Sequence, residues 1–186
     1  MTLQHEHPTP SFEDEPEFDP DIPGPQPLQA LQMLIRRIEA QTVDLQLSKF
    51  DRSDALALGL LLVELGTARS LPIAIDIRRG DHVLFHSSLA GATADNGFWI
   101  ERKSRTAHRY EAPSFLIGLR GRLGGGKIED NAWFDQNRYS AHGGSFPLWL
   151  RGTGLVGTVT VSGLPQKADH DLVVEALTMF QQRSAG

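Results

Sequence analysis

One stretch restricts the possible folds of this chain more than any other: residues 72–86, PIAIDIRRGDHVLFH. Ile73, Ile75 and Ile77 alternate with other residues, and this two-residue period predicts a strand with one strongly apolar face. The Gly-Asp pair at 80–81 suits a two-residue hairpin turn that takes glycine first, and HVLFH supplies the returning strand. The sequence therefore predicts an antiparallel hairpin in the middle of the chain.

A second hairpin is predicted nearer the carboxyl end, where FPLWLRG (146–152) and LVGTVTVSG (155–163) flank a glycine-rich turn. A short strand is predicted at 43–47. Apolar residues at helical spacing predict five helices, which begin at Leu28, after an Asp51 cap, after a Thr93 or Asp95 cap, after Pro113 and after an Asp169 cap. The helix after Asp51 is apolar nearly all round, so we expect it to be buried.

The predicted order of elements is α-β-α-β-β-α-α-β-β-α. Paired hairpins between helices favour the α+β class, with a central antiparallel sheet covered by helices. The sequence shows no internal repeat.

The negative charge of the chain is concentrated at its amino end. The formal net charge is −5, but residues 1–27 hold seven acids and no Lys or Arg, and removing that −7 leaves +2 for residues 28–186. The first segment is also proline-rich and poor in apolar residues, so we predict a disordered leader over 1–27 and a single domain over 28–186. The nearly neutral domain argues against nucleic acid as a partner.

Composition excludes several kinds of chemistry. The chain has no cysteine, which rules out disulfides and thiolate catalysis. We find no secretion signal and no apolar run near the roughly 20 residues that span a bilayer, so a cytoplasmic protein without membrane contact is expected. GLRGRLGGGK (118–127) fails as a phosphate loop, because a helical stretch precedes it and no Ser or Thr follows its lysine. No spacing identifies a nucleophile with its base.

Two polar residues in otherwise structural patterns are candidates for a site. Asp76 interrupts the first strand on the face opposite the isoleucines. It lies either on a face wetted by solvent or in a pocket between sheet and helices, where it needs a partner. His170 follows the predicted cap Asp169 and is expected in the first turn of the last helix.

The predicted helix that contains FWIERKSRTAHRY carries a cluster of cations and one histidine: Arg102, Lys103, Arg105, His108 and Arg109. Arg102, Arg105 and Arg109 share a face, and Lys103 lies about 100° from Arg102. Such a cluster could recognise a carboxylate or phosphate. The usual meaning of such a run is a solvated helix face, and a subunit contact is the other alternative.

The stretch AHGGSFP (141–147) places a histidine beside two glycines. Gly143 and Gly144 permit positive φ and close approach of a ligand, and Pro147 suits the start of an edge strand. The stretch is therefore either a structural entry into the next strand or a ligand-binding turn with a working His142.

Five segments occur in a set order: AIDIRR with its hairpin, WIERKSRT, AHGGSFPL, the run GTGLVGTVTVSGLP and ADHDLVVEAL. Together they resemble an uncharacterised family of small proteins in the haem-degrading-domain superfamily, related to GlcG and HbpS. The resemblance covers about residues 30–180. It implies a profilin-like, three-layer α/β/α sandwich with a central antiparallel sheet, assembled into homo-oligomers. It also implies binding of haem or another tetrapyrrole, sometimes with oxidative haem breakdown.

The resemblance and the candidate residues together suggest a function. We expect a homo-oligomeric binding protein for a small anionic ligand, with haem as a candidate; Arg102 and Lys103 pair with carboxylates, and His142 is the first choice for a haem axial ligand. No other metal site is expected. The expected ligand-binding residues are Asp76, Arg102, Lys103, His142, Gly143, Gly144, Phe146 and His170. The alternatives are a protein-interaction adaptor or scaffold without catalysis, and an oxidative haem-degrading enzyme.

Overall fold

Four strands form one antiparallel sheet in the part of the chain that this computed structural model describes, residues 17–184. The strands are β1 (Ala74–Arg79), β2 (His82–Ser88), β3 (Ser145–Leu150) and β4 (Gly154–Ser162), and their order across the sheet is β2-β1-β4-β3. The helices are α1 (Leu28–Asp44), α2 (Arg52–Ala68), α3 (Ala94–Tyr110), α4 (Ser114–Leu123) and α5 (Gln166–Ser184), with a 3-10 turn at Ile128–Asp130.

The two faces of the sheet differ in chemistry. Ile75 and Ile77 of β1 join Val159 and Val161 of β4 in the main apolar core, which α2 and α5 cover. Helix α3 packs on the opposite face, where the buried residues include Asp76, Thr158, Thr160 and Ser162. A smaller apolar cluster joins α1 to α4. The predicted α+β class, with an antiparallel sheet between helical layers, is confirmed.

Both hairpins and the Asp51 cap form as the residues predict. Gly80 takes φ +60° in the turn between β1 and β2, a conformation that glycine adopts without strain. The side chain of Asp51 accepts hydrogen bonds from the backbone N–H groups of Ser53 and Asp54 at 2.7 and 3.0 Å, and so caps α2. Helix α3 begins directly after Thr93.

The strand predicted at 43–47 is wrong. Helix α1 continues through Asp44, and the backbone N–H of Leu45 bonds to the carbonyl of Gln41. Only Leu47 makes a sheet-like contact, a single parallel bridge to Leu150. The alternation of Val43 with leucines is therefore the end of a helix and an irregular connection.

The predicted cap of the last helix is also wrong. Helix α5 begins at Gln166, so Asp169 lies inside its first turn, and is buried. The carboxylate of Asp21 accepts a hydrogen bond from the backbone N–H of Gln166 at 3.1 Å and another from its side chain at 2.7 Å. An acid from the amino-terminal segment thus satisfies the start of α5, as acids do near helix amino ends.

The segment 17–27 contacts the domain, although its composition led us to place the start of order at Leu28. Phe18 is buried in the cluster of α1 and α4, and the carbonyl of Pro20 accepts a hydrogen bond from Arg122 at 2.9 Å. The disorder predicted for residues 1–16 falls outside the described residues. Between residues 17 and 184, none of the helices has both the length and the apolar character that crossing a bilayer requires.

The burial expected for α2 is only partly correct. Leu58, Leu61 and Leu62 lie in the main core, but Leu56 and Leu60 are 51% and 54% exposed. These two leucines are one helical turn apart, so they form an apolar strip on the surface of the single chain.

The packing of α2 against β2 predicts opposite effects for two helical glycines. A Cβ at Gly59 would overlap the ring of Phe85, whereas one at Gly97 in α3 meets nothing within 4 Å. Alanine normally favours a helix over glycine by about 1 kcal/mol, but overpacking costs about 1–3 kcal/mol. In urea unfolding we therefore expect Gly59→Ala to lower the free energy of unfolding and Gly97→Ala to raise it. Stabilisation by both changes would contradict this packing.

Candidate functional site

A buried ion pair lies beneath the turn between His142 and β3. Lys103 of α3 is 2% exposed, and its ammonium donates to the carbonyls of Gly143 and Val161, both at 2.8 Å, and to Asp169 Oδ2 at 2.9 Å. An ammonium has three N–H groups, so all its donors are used within the protein. The second oxygen of Asp169 accepts from the backbone N–H of Leu164 at 3.0 Å.

Close packing around the turn excludes a side chain at both of its glycines. A Cβ at Gly144, where φ is +118°, would overlap the carbonyl oxygen of Val161 and lie 2.6 Å from the Lys103 ammonium. A Cβ at Gly143 would overlap the carbonyl oxygen of Gln166. The structural interpretation of this turn therefore accounts for both glycines.

Burial opposes charge on both partners of the pair. Desolvation raises the pKa of Asp169, and it lowers the pKa of Lys103. Each partner nevertheless favours the charged form of the other through the contact between them. The pair contributes little net stability compared with apolar residues, yet removing one partner leaves a buried charge without a counterion.

His142 lies at the surface beside this pair. Its Nδ1 is 3.0 Å from Ser140 Oγ, while its carbonyl accepts from Ser114 Oγ at 2.7 Å. The ring meets Trp99 edge to face, with centroids 5.0 Å apart. Partial burial lowers the pKa of His142, which favours the neutral imidazole. Among residues 17–184 no group hydrogen-bonds its Nε2, so this nitrogen is available to a ligand.

Trp99 is held in place from two sides. Its indole N–H donates to Asp95 at 2.9 Å, and the guanidinium of Arg102 stacks 4.2 Å from the ring centroid. Arg102 also donates to the carbonyl of Gln136 at 3.4 Å. A ligand beside His142 therefore meets an ordered aromatic ring with a cation next to it.

His142, Trp99 and the Lys103–Asp169 pair border an open cleft of about 300 Å³, which we call the His142 cleft. Its walls are the first half of α3, the His142 turn and the connection from β4 to α5. The lining side chains include Asp21, Asp95, Trp99, Lys103, His142, Leu164, Pro165 and Asp169. The three acids all accept hydrogen bonds within the protein.

Asp76 does not belong to this cleft. It is 1% exposed and binds the guanidinium of Arg78 through both oxygens, at 2.5 and 2.8 Å, with His86 Nδ1 at 3.4 Å. The solvent-wetted alternative is therefore wrong. Asp76 is buried with a partner, as the pocket alternative required. That partner is Arg78, and Asp76 does not line the cleft near His142.

Phe146 and His170, both expected to bind ligand, are buried instead. Phe146 points into the main core, and His170 lies between Phe115 and Phe146 with Nε2 3.0 Å from Gln41 Oε1. Burial lowers the pKa of His170 to about 4, so it is neutral at physiological pH. The structure thus brings Lys103, His142 and the two glycines together, with Arg102 nearby, and places the other predicted residues elsewhere.

Sequence reasoning missed the partner of Lys103, although a signal was present. Asp169 continues the apolar face of Leu172 and Val173 at helical spacing, which places a carboxylate on a core-facing stripe. A buried carboxylate needs a counterion. The roles of Ser140 and Asp21 had no such signal, because the contacts that define them cross long stretches of chain or depend on the turn conformation.

Comparison with known proteins adds to this geometry. A sequence model for haem degrading proteins of the HbpS-like kind matches residues 50–178. A UPF0303 protein of Streptomyces avermitilis is 51% identical over 149 residues, which cover 80% of this chain and 91% of that protein.

Two solved structures extend the comparison. The crystal structure of Ybr137w protein matches with a TM-score of 0.75 and 32% identity, covering 82% of this chain and 90% of that one. A PduOC–haem complex matches with a TM-score of 0.60 and 18% identity, covering 69% and 93% respectively. The second likeness shows a shared fold.

The ion pair under the His142 turn predicts a large effect of a near-isosteric change. Asp169→Asn leaves the Lys103 ammonium buried without a counterion, so we expect the free energy of unfolding to fall by about 3–5 kcal/mol. The matched control Glu39→Gln breaks an exposed pair with Arg120 and should cost less than about 1 kcal/mol.

Adding Lys103→Met to Asp169→Asn removes the unpaired charge and should restore part of the loss. Equal losses for the buried and exposed changes in urea unfolding would contradict the role given to this pair.

Proposed function

The chain belongs to the family of HbpS-like haem-degrading proteins, and from that premise we propose that it binds haem in the His142 cleft. The observation that carries the proposal is the state of His142: Nδ1 is engaged by Ser140, and Nε2 has no partner among the described residues. Neutral imidazole with one oriented nitrogen and one open nitrogen is the form that ligates metals. The haem complex of PduOC, which shares the fold, supports the same choice of ligand.

The residues around His142 fit haem in donor type. Trp99, Leu164 and Pro165 supply apolar surface for a macrocycle. Arg102, which lies outside the cleft lining but stacks on Trp99, supplies a cation for a propionate. Lys103, expected to share that role, has no donor left over. When bound, haem supplies one-electron and oxygen chemistry.

In this proposal the residues of the protein hold the haem and fix the orientation of the His142 ring. His142 would hold the haem iron through Nε2, and Ser140 fixes the ring orientation through Nδ1. Trp99 limits ring rotation from the side, itself held by Asp95. The Lys103–Asp169 pair supports the turn from below and keeps His142 at the cleft.

Haemin titration followed by the Soret band tests the proposal. Wild-type protein should shift the band, and His142→Ala should weaken binding by about 100-fold or remove the shift, since a ligand is lost outright. Ser140→Ala, which removes only the orienting contact, should weaken binding by about tenfold. The control His82→Ala removes an exposed histidine outside the cleft and should change nothing. A shift that persists unchanged in His142→Ala would overturn axial ligation.

The lowered pKa of His142 predicts how haem affinity depends on pH. Protonation of the imidazole competes with iron, so affinity must fall as the pH drops through the pKa of this group. Because that pKa lies below the ordinary value of about 6.5, affinity should stay level from neutral pH to below about pH 6.5 and fall only in more acidic solution. A midpoint at or above the ordinary value, in haemin titrations at a series of pH values, would contradict the partial burial of this ring.

We also propose that the protein is a homo-oligomer that associates through α2. Leu56 and Leu60 form an exposed apolar strip, and exposed apolar patches of this kind commonly mark interfaces. The cytoplasmic location remains a prediction from the sequence.

Light scattering after size exclusion tests the role of this strip. Leu56→Lys with Leu60→Lys should reduce the measured mass to that of a monomer, because two buried charges would oppose association. The control Val43→Lys changes another exposed apolar residue, on α1, and should leave the mass unchanged. A monomeric wild-type protein, or an oligomer that survives the paired substitution, would refute association through α2.

A further inference from the structure

A second cleft lies on the polar face of the sheet and shares no lining residue with the His142 cleft. It measures about 200 Å³, between the second half of α3, the β1–β2 turn and the segment around Tyr139. We call it the Arg109 cleft, after one of the arginines that line it, and we propose that it binds a phosphate group.

The cleft contains more positive charge than the protein neutralises. Its lining includes Arg78, Arg105, His108, Arg109 and Arg138, with Asp81 as the one carboxylate. Two of the arginines have acids of their own: Arg78 binds Asp76, and Arg105 binds Glu101 at 3.0 Å.

The remaining two guanidinium groups, on Arg109 and Arg138, make no hydrogen bond or ion pair with any residue between 17 and 184. The only carboxylate that lines the cleft with them is Asp81. With Asp81 counted, the surplus is one positive charge. The two unpaired guanidinium groups match a phosphate because each can bind an oxyanion through paired N–H donors.

Arg109 is held in position without being neutralised. Its guanidinium carbon lies 4.9 Å from the ring centre of Tyr139, 5.4 Å from Tyr110 and 5.9 Å from Trp133. Contacts with ring faces fix a cation but leave its N–H groups free. Arg109 is therefore already ordered before a ligand binds, so binding costs less side-chain conformational entropy.

The base and size of the cleft indicate a small ligand. Thr158 and Ser104 lie there, both 2% exposed. Ser104 Oγ already donates to the carbonyl of Glu101 at 3.0 Å, whereas Thr158 Oγ1 has no hydrogen-bond partner within residues 17–184. Hydroxyl and guanidinium donors together suit the several oxygens of a phosphate. Arg109 and Arg138 both pack on Tyr139, which leaves that ring poorly placed to stack on a nucleobase. Inorganic phosphate or a small phosphomonoester fits better than a nucleotide.

Calorimetric titration of the full chain tests the proposal, with potassium phosphate and phenyl phosphate as probes in potassium chloride of matched ionic strength. We expect saturable binding with a dissociation constant in the millimolar range or below. Arg109→Gln with Arg138→Gln should weaken it by about tenfold or more, because two charge-assisted contacts are lost. The control Arg36→Gln with Arg37→Gln alters two exposed arginines on α1 and should leave affinity unchanged.

The two probes distinguish the sources of the phosphate group. Equal affinity assigns the cleft to free phosphate, whereas tighter binding of phenyl phosphate assigns it to an esterified one. No saturable binding by either probe, an equal loss in the control variant, or equally tight binding of succinate would overturn the proposal.

One further arm addresses the acidic amino end of this chain as a competing occupant. If phosphate binds only after Glu13→Gln, Asp14→Gln and Glu15→Gln, the cleft belongs to that segment and the proposal is overturned. The haem proposal and the phosphate proposal can be refuted independently, because His142→Ala should leave phosphate binding unchanged.

Discussion

The arrangement around His142 depends on one buried ammonium group. Lys103 ties together four parts of the chain through three hydrogen bonds: α3, which carries it, the turn before β3, the strand β4 and the helix α5. Each acceptor satisfies one N–H of a charge that burial would otherwise make prohibitive. The turn packs so closely against Val161, the Lys103 ammonium and Gln166 that only glycine fits at Gly143 and Gly144. The buried lysine is therefore one of the contacts that fix the turn carrying His142.

The sheet was predictable because its signals are local. The isoleucine alternation of β1, the Gly-Asp turn and the Asp51 cap all act within a few residues, and each forms as expected. The strand predicted at 43–47 was wrong for a related reason: alternation over so few residues does not distinguish a strand from the last turn of an amphipathic helix. The start of α5 was wrong because its cap, Asp21, comes from 145 residues away.

The site was predictable only in part, because a candidate residue and its partner are usually far apart in sequence. Lys103 and His142 were identified, but the sequence did not show that Lys103 is already paired with Asp169 inside the protein. His170 has the residue type of a ligand, yet its two aromatic neighbours, Phe115 and Phe146, keep it in the interior. Asp76 was recognised as needing a partner; the partner, Arg78, is two residues away on the same face of its strand.

The two clefts differ in which charges the protein satisfies internally, and one helix separates them. The first half of α3 lines the His142 cleft, and its second half lines the Arg109 cleft. In the His142 cleft the buried Lys103 is paired with Asp169. The group that remains available to a ligand there is the neutral imidazole of His142. At the second end Asp76 and Glu101 engage two arginines and leave two others unpaired within the described chain. The polar layer between α3 and the sheet therefore yields two surfaces with different chemistry. One presents a neutral imidazole nitrogen without a partner in the described chain, and the other presents unpaired guanidinium groups.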